Sequence, residues 1–305
     1  MTTIPILISL SLLVFFLIHL VPGSIAAVIL DQDATPERIE ALETELGLND
    51  PLVQQYTRWF TGVLQGDLGA SLINGQPVLE ALGERIAVTI YIALGGMIVA
   101  VLLGVSTGIL AALYPHSWLD RGVTIITGFS SALPSYFIAM LLVIVFAVQR
   151  DWFPTVGYTP PHENLGEWLQ SITLPSIALG LPSAALISRQ TRSAMLGVMQ
   201  SAYIRAAYAS GLPVGTIIFS HAMPNALIPG VTSIGHRFSI TLGIAFVVEQ
   251  VFALPGLGSL LARAVLNQDI TIVQGGVLAI GIIIIIVNTL VDLSYAQLNP
   301  KVRLG

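Results

Sequence analysis

Residues 88–113 carry no Asp, Glu, Lys or Arg, and as a helix the run is long enough to cross a hydrocarbon core of about 30 Å. Lipid offers no partner for backbone N–H and C=O groups, so a spanning segment must be a helix or part of a closed barrel. Further apolar runs at residues 4–21, 123–148, 172–188, 227–248 and 271–293 repeat the constraint. Together they predict an all-α polytopic membrane protein with six transmembrane helices. With 54% hydrophobic and 10% charged residues, an ordinary soluble domain is excluded. The first run reads as a retained span rather than a cleaved leader. Ser24, Ile25 and Ala26 supply small residues for cleavage, but no basic residue precedes the run and it is long for a leader core.

The polar residues sort into loops. Residues 22–87 are acidic and form an extramembrane segment: Thr35 is read as an N-cap, Pro36 as the first helical position and Gly47 as the stop, with a second amphipathic helix over 51–64. No nucleophile with a nearby base is visible there, so a helical cap is expected rather than a catalytic domain. Residues 88–305 form a core with five spans. Gly95, Gly96, Gly104, Ser106 and Gly108 in the second span allow close helix packing. Ser130, Ser131, Pro134 and Ser135 make a polar, kinked patch in the third span, a candidate for lining a path as much as a packing kink. Trp152, Phe153, Tyr158 and Trp168 mark an interfacial loop, and Pro175 and Pro182 break a short fourth span. Arg237 lies in the fifth span beside His236. A charge there costs at least about 2.5 kcal/mol, so it should face a cavity, a partner or the interface. In residues 249–270, Pro255, Gly256 and Gly258 predict a sharp turn and residues 260–266 a short helix.

The longest weakly apolar stretch between the later spans lies within residues 189–229. Met195, Met199, Ala202, Ala206 and Ala209 recur at helical spacing, Gly211 stops that helix, Pro213 starts another, and Pro224 closes it after about two turns. Pattern alone leaves an interfacial helix pair and a docking surface both open. Tyr203, Ile204, Arg205, Ala207, Gly211, Leu212, Pro213, His221, Asn225 and Pro229 resemble the cytoplasmic coupling loop of ATP-binding-cassette (ABC) importer permeases of the peptide branch. Glu249, Phe252, Pro255, Gly256, Gly258 and Asp269 resemble an extracytoplasmic signature of that family, and Asn288, Asp292, Tyr295, Pro300 and Arg303 its closing pattern. Ala202, Ser210, Met223, Pro224, Asn299 and Lys301 depart from it.

The resemblance implies a type I-like ABC permease fold in a bacterial inner membrane. It implies a second homologous permease subunit, separate ATP-binding subunits holding ATP and Mg, and an extracytoplasmic substrate-binding protein. With both termini in the cytoplasm, short cytoplasmic segments hold Arg121, Arg189, Arg192, Arg205, Lys301 and Arg303 against Arg150 and Arg263 outside, a bias that independently places the loop in the cytoplasm. Lys301 is the one lysine, so no phosphate-binding loop can be assembled, and no cofactor is expected in the chain itself. Cysteine is absent, removing thiol chemistry, and nothing marks a nucleic-acid partner. An ion-coupled secondary transporter is the alternative, with His236 and Arg237 its best residues. The absence of a His and carboxylate cluster favours peptides over metal as cargo.

Overall fold

A computed structural model describes residues 3–20, 24–30 and 33–298. Their elements are helical: α1 Thr3–Leu20, α2 Ile25–Leu30, α3 Pro36–Glu45 and α4 Leu52–Leu64, then α5 Val78–Leu113 and α6 Trp118–Ala132. Next comes α7 Ser135–Leu142, extended by a π-helical turn Val143–Gln149, followed by α8 Leu165–Met199 and α9 Ala202–Ala209. The short α10, Val214–Thr216, runs through a second π turn, Ile217–Ala222, into α11 Met223–Val251; α12 Leu257–Leu266 and α13 Ile270–Leu298 follow. Among the described residues, three helices are long and apolar enough to cross a membrane, Val78–Leu113, Leu165–Met199 and the Ile270–Leu290 part of α13. The bent pair α6 and α7 adds a fourth if it counts as one span.

The chain divides into two compact units, residues 1–87 with 256–285, and residues 88–255 with 286–305. In the first unit, Thr35 caps α3 by accepting from the Arg38 N–H, and Gly47 leaves the helix with φ +65°, as its sequence predicts. The α4 helix turns Tyr56, Trp59 and Phe60 to one side. Phe15 of α1 meets Tyr56 edge-on at 5.4 Å, and Ser11 shares a 2.8 Å hydrogen bond with the Tyr56 hydroxyl. Val78, Ala81 and Leu82 of α5 pack with Leu257, Ala264 and Ile272 into an apolar core.

In the second unit α8 is central: 72% of its apolar stretch is buried, and it packs on α6, α7 and α11. Against expectation, Pro175 and Pro182 do not break it; one helix of 35 residues contains both. Each proline removes a single ladder bond, and the helices packed around α8 keep the rest of the helix enclosed. The glycines of α5 explain the closeness. A Cβ on Gly104 would stand 2.7 Å from Ile187 Cβ, one on Gly108 2.6 Å from the Ser188 carbonyl oxygen, and one on Gly180 of α8 2.5 Å from the Gly96 carbonyl oxygen. Ser106 is exposed and its hydroxyl instead bonds the Leu102 carbonyl of its own helix.

The third apolar run bends sharply at Leu133 and Pro134. The axes of α6 and α7 differ by 105°, because Leu133 turns extended with ψ 131° and Pro134, with no N–H, restarts the chain as the N-cap of α7. The turn before α12 also differs from expectation. Ala253 takes φ +50° and Gly256 is the extended N-cap, while Gly258 lies inside α12, which begins at Leu257.

Candidate coupling site

The stretch after α8 forms a bent elbow. Where one helix over 195–210 is expected, the chain breaks at Gln200 and Ser201: Met195 and Met199 belong to α8, whereas Ala202, Ala206 and Ala209 belong to α9. Ser201 is extended, with ψ 154°, which redirects the chain before α9 begins. The end of α9 follows the local prediction. Gly211 has φ +74°, the Gly211 N–H donates to the Tyr208 carbonyl at 3.0 Å, and the Leu212 N–H reaches back to the Ala207 carbonyl at 3.3 Å. This pair of bonds is the Schellman arrangement, which needs a left-handed residue where Gly211 stands.

Pro213 then acts as the N-cap of α10 rather than its first turn. Pro224 does not close the second helix either; it occupies the first turn of α11. The π turn over residues 217–222 carries the chain from α10 into α11 without a stop.

One face of the elbow is an anchor. Met195, Ile204 and Ile217 are fully buried and cluster with Ala112, Ile218, Ala222 and Ala226. The other face is open, with Tyr203, Tyr208, Leu212, Val214 and Phe219 between 38% and 63% exposed. Arg205, Gly211 and Pro213 are exposed as well, and Ala207 is half-buried. The structure brings Tyr203, His221 and Asn225 together. The Asn225 amide donates to the Tyr203 hydroxyl at 3.2 Å and to the His221 carbonyl at 2.8 Å, tying α9 to the start of α11. The side chain of Pro229 lies outside the described residues.

Two arginines one turn apart on α8 reach α6. Arg192 forms a fork on Asp120, with Nε 2.6 Å from Oδ1 and the second nitrogen 2.8 Å from Oδ2. Asp120 is 5% exposed and also accepts the His116 N–H at 3.0 Å. Arg189 donates to the Ser131 hydroxyl at 3.2 Å. Of the path candidates, Ser131 and Pro134 are exposed, while Ser130, Ser135 and Arg237 are half-buried. Asp120 escapes sequence reasoning, although a carboxylate beside an apolar helix must find a cation or a donor. That demand was the available signal.

The signature residues fall into two local settings. Glu249 is fully buried and accepts the Thr89 hydroxyl at 2.5 Å, with Phe252 buried nearby in the α7 and α8 core and Pro255 half-buried. Asp269 is buried at the head of α13, where it accepts the Ser71 hydroxyl and the Leu72 N–H, the latter at 3.3 Å. Gly256 and Gly258 are buried at the start of α12. A cleft of about 510 Å³ opens in the first unit beside Glu43, Arg58, Trp59 and Gln274, and none of the sequence-predicted site residues lines it.

Long apolar helices, a central helix seated on glycines and a Gly-broken elbow are the features of a membrane transport component. Residues 104–304 match the binding-protein-dependent transport system inner membrane component family, and residues 1–93 match its N-terminal region, so the chain belongs to that family. It is 39% identical over 300 residues to a putative peptide transport system permease protein of Brucella abortus, covering 98% of this chain and 96% of the relative. It is 39% identical over 302 residues to a glutathione transport system permease protein of Salmonella paratyphi A, covering 98% and 95%. It is 34% identical over 320 residues to a dipeptide transport system permease protein of Alkalihalophilus pseudofirmus, covering 98% and 96%.

Proposed function

We propose that the chain is the membrane-spanning permease subunit of an ABC importer that moves dipeptides or oligopeptides inward, and that the elbow of α9 and α10 is its docking surface for the ATPase. The observation that carries this is the two-sidedness of the elbow. Ile204 and Ile217 are sunk in a buried cluster with Met195 of α8, while Tyr203, Tyr208, Leu212, Val214 and Phe219 stand open. Exposed large apolar residues on a rigid, bent, well-anchored pair of helices suit a protein partner.

Hydrolysis belongs to separate ATP-binding subunits, which hold ATP and Mg; a chain with one lysine near its end has no phosphate loop of its own. A second, homologous permease subunit completes the path, an extracytoplasmic binding protein delivers substrate, and lipid surrounds the rest. No nucleic-acid partner is involved. The topology has six spans with both termini cytoplasmic: residues 1–21 the first span, 22–87 an extracytoplasmic helical segment, and 88–305 the core with its loops at 189–229 and 249–270. Peptide cargo is inferred from the relatives named above as peptide, dipeptide and glutathione permeases. Ser130, Ser131, Pro134, Ser135 and Arg237 face the path, and Glu249, Phe252, Pro255, Gly256, Gly258 and Asp269 shape its extracytoplasmic side.

The test is uptake of a labelled dipeptide by proteoliposomes containing the permease pair, the ATPase subunits and the binding protein. Uptake should require ATP on the side of the elbow and persist when an uncoupler collapses the proton gradient. Uptake abolished by the uncoupler and indifferent to ATP would instead support an ion-coupled transporter.

A further inference from the structure

We propose that Asp120 and Arg192 are positioning residues for the transport cycle, a fixed pivot between α6 and α8, and that the Arg189 to Ser131 contact is the exchangeable latch that lets the elbow change the bend between α6 and α7. The proposal rests on the coupling role of the elbow given above.

Arg189 and Arg192 sit on one face of α8, about 4.5 Å apart along the axis. Their partners Asp120 and Ser131 stand in the first and last turns of α6, roughly 16 Å apart at 1.5 Å per residue. One face of α8 therefore grips α6 at both ends. The two grips differ in kind. Arg192 presents two nitrogens to two carboxylate oxygens of a side chain that is 5% exposed. Such a fork fixes both distance and angle, and breaking it would strand a buried charge. The His116 N–H, held at φ +64°, adds a third donor to the same carboxylate and fixes it to the turn before α6. Arg189 instead makes one hydrogen bond to an exposed hydroxyl, a contact that water can replace.

The elbow meets this assembly directly. Met195, one turn beyond Arg192, is fully buried against Ile204 and Ile217. A push on the exposed face of α9 is delivered to the end of α8, held there by the Asp120 fork, and converted into rotation of α6 about that point. The motion is largest at the far end of α6, where Ser131 lies two residues before Leu133, the extended residue of the 105° bend. A single exchangeable bond belongs at the moving end and a bidentate ion pair at the still one, as the structure has them.

The experiment measures dipeptide uptake and ATP hydrolysis side by side in the reconstituted complex. Asp120→Asn and Arg192→Lys should keep hydrolysis but lower uptake per ATP by about tenfold, with Lys, which keeps the charge and loses the fork, the milder change. An unchanged ratio in both variants overturns the pivot. Because a variant in the fork can fail to assemble, a second arm uses the absence of cysteine in this chain. In Ser131→Cys with Arg189→Cys, a short reducible cross-linker should cut uptake at least about tenfold relative to the same protein after reduction. Full uptake with the link formed overturns the latch. Wild-type complex without ATP-dependent uptake would refute the coupling reading itself, and is thereby distinct from either failure.

Discussion

Ser71 and Asp269, 198 positions apart in the chain, share a buried hydrogen bond in which the serine hydroxyl donates to the carboxylate at the head of α13. The same carboxylate accepts the Leu72 N–H and, at 3.4 Å, the Ile272 N–H in the first turn of α13. One side chain therefore caps a helix and fastens the segment before α5 to it. Removing the hydroxyl leaves a buried carboxylate short of a donor, and bonds to charged groups contribute about 1.5–3 kcal/mol. Ser71→Ala should lower the thermal unfolding midpoint of the purified protein in detergent. A midpoint equal to wild type would show that another donor takes over.

Gly211 tests the elbow. No atom lies within 4 Å of where its Cβ would be, so a substitution there is opposed by backbone conformation alone. Gly211→Ala should cost about 1 kcal/mol and Gly211→Asn less, because Asn tolerates the left-handed region. Gly211→Trp should insert normally, as judged by protease protection of the loops, yet abolish ATP-driven uptake by placing bulk on the docking face. Retained uptake in the Trp variant would count against the elbow as the contact surface.

Glycines along α5 and α8 test packing. Gly180→Val would force a methyl-bearing carbon to within 2.5 Å of the Gly96 carbonyl oxygen, backbone that cannot swing aside. Overpacking of this kind costs about 1–3 kcal/mol. Gly243→Ala, with open space at its Cβ, is the matched control and should be neutral. The comparison is made by denaturant titration in mixed micelles, and equal midpoints for the two variants would refute the close approach.

Tyr203 and Asn225 form the fourth test. Tyr203→Phe and Asn225→Ala should each destabilise by no more than about 1 kcal/mol, since both groups are solvent-accessible. The double variant should lose less than the sum, because each change removes the same bond. Strict additivity in thermal unfolding would mean that the bond contributes nothing.

Whatever depends on neighbours along the chain was legible in the residues alone. Apolar length committed residues 88–113 to a membrane helix, Thr35 with Pro36 set the start of α3, and Gly211 set the end of α9, because each is decided by solvent, by one side-chain oxygen or by one dihedral. Packing settled what depends on distant partners. Pro175 and Pro182 stay inside α8 because other helices enclose it, and Pro224 opens α11 where local rules end a helix. Asp120 is matched to Arg192, and Asp269 to Ser71, across 72 and 198 positions. A charge in a dry place demands a counter-group wherever the chain can supply one, and no local pattern says where that is.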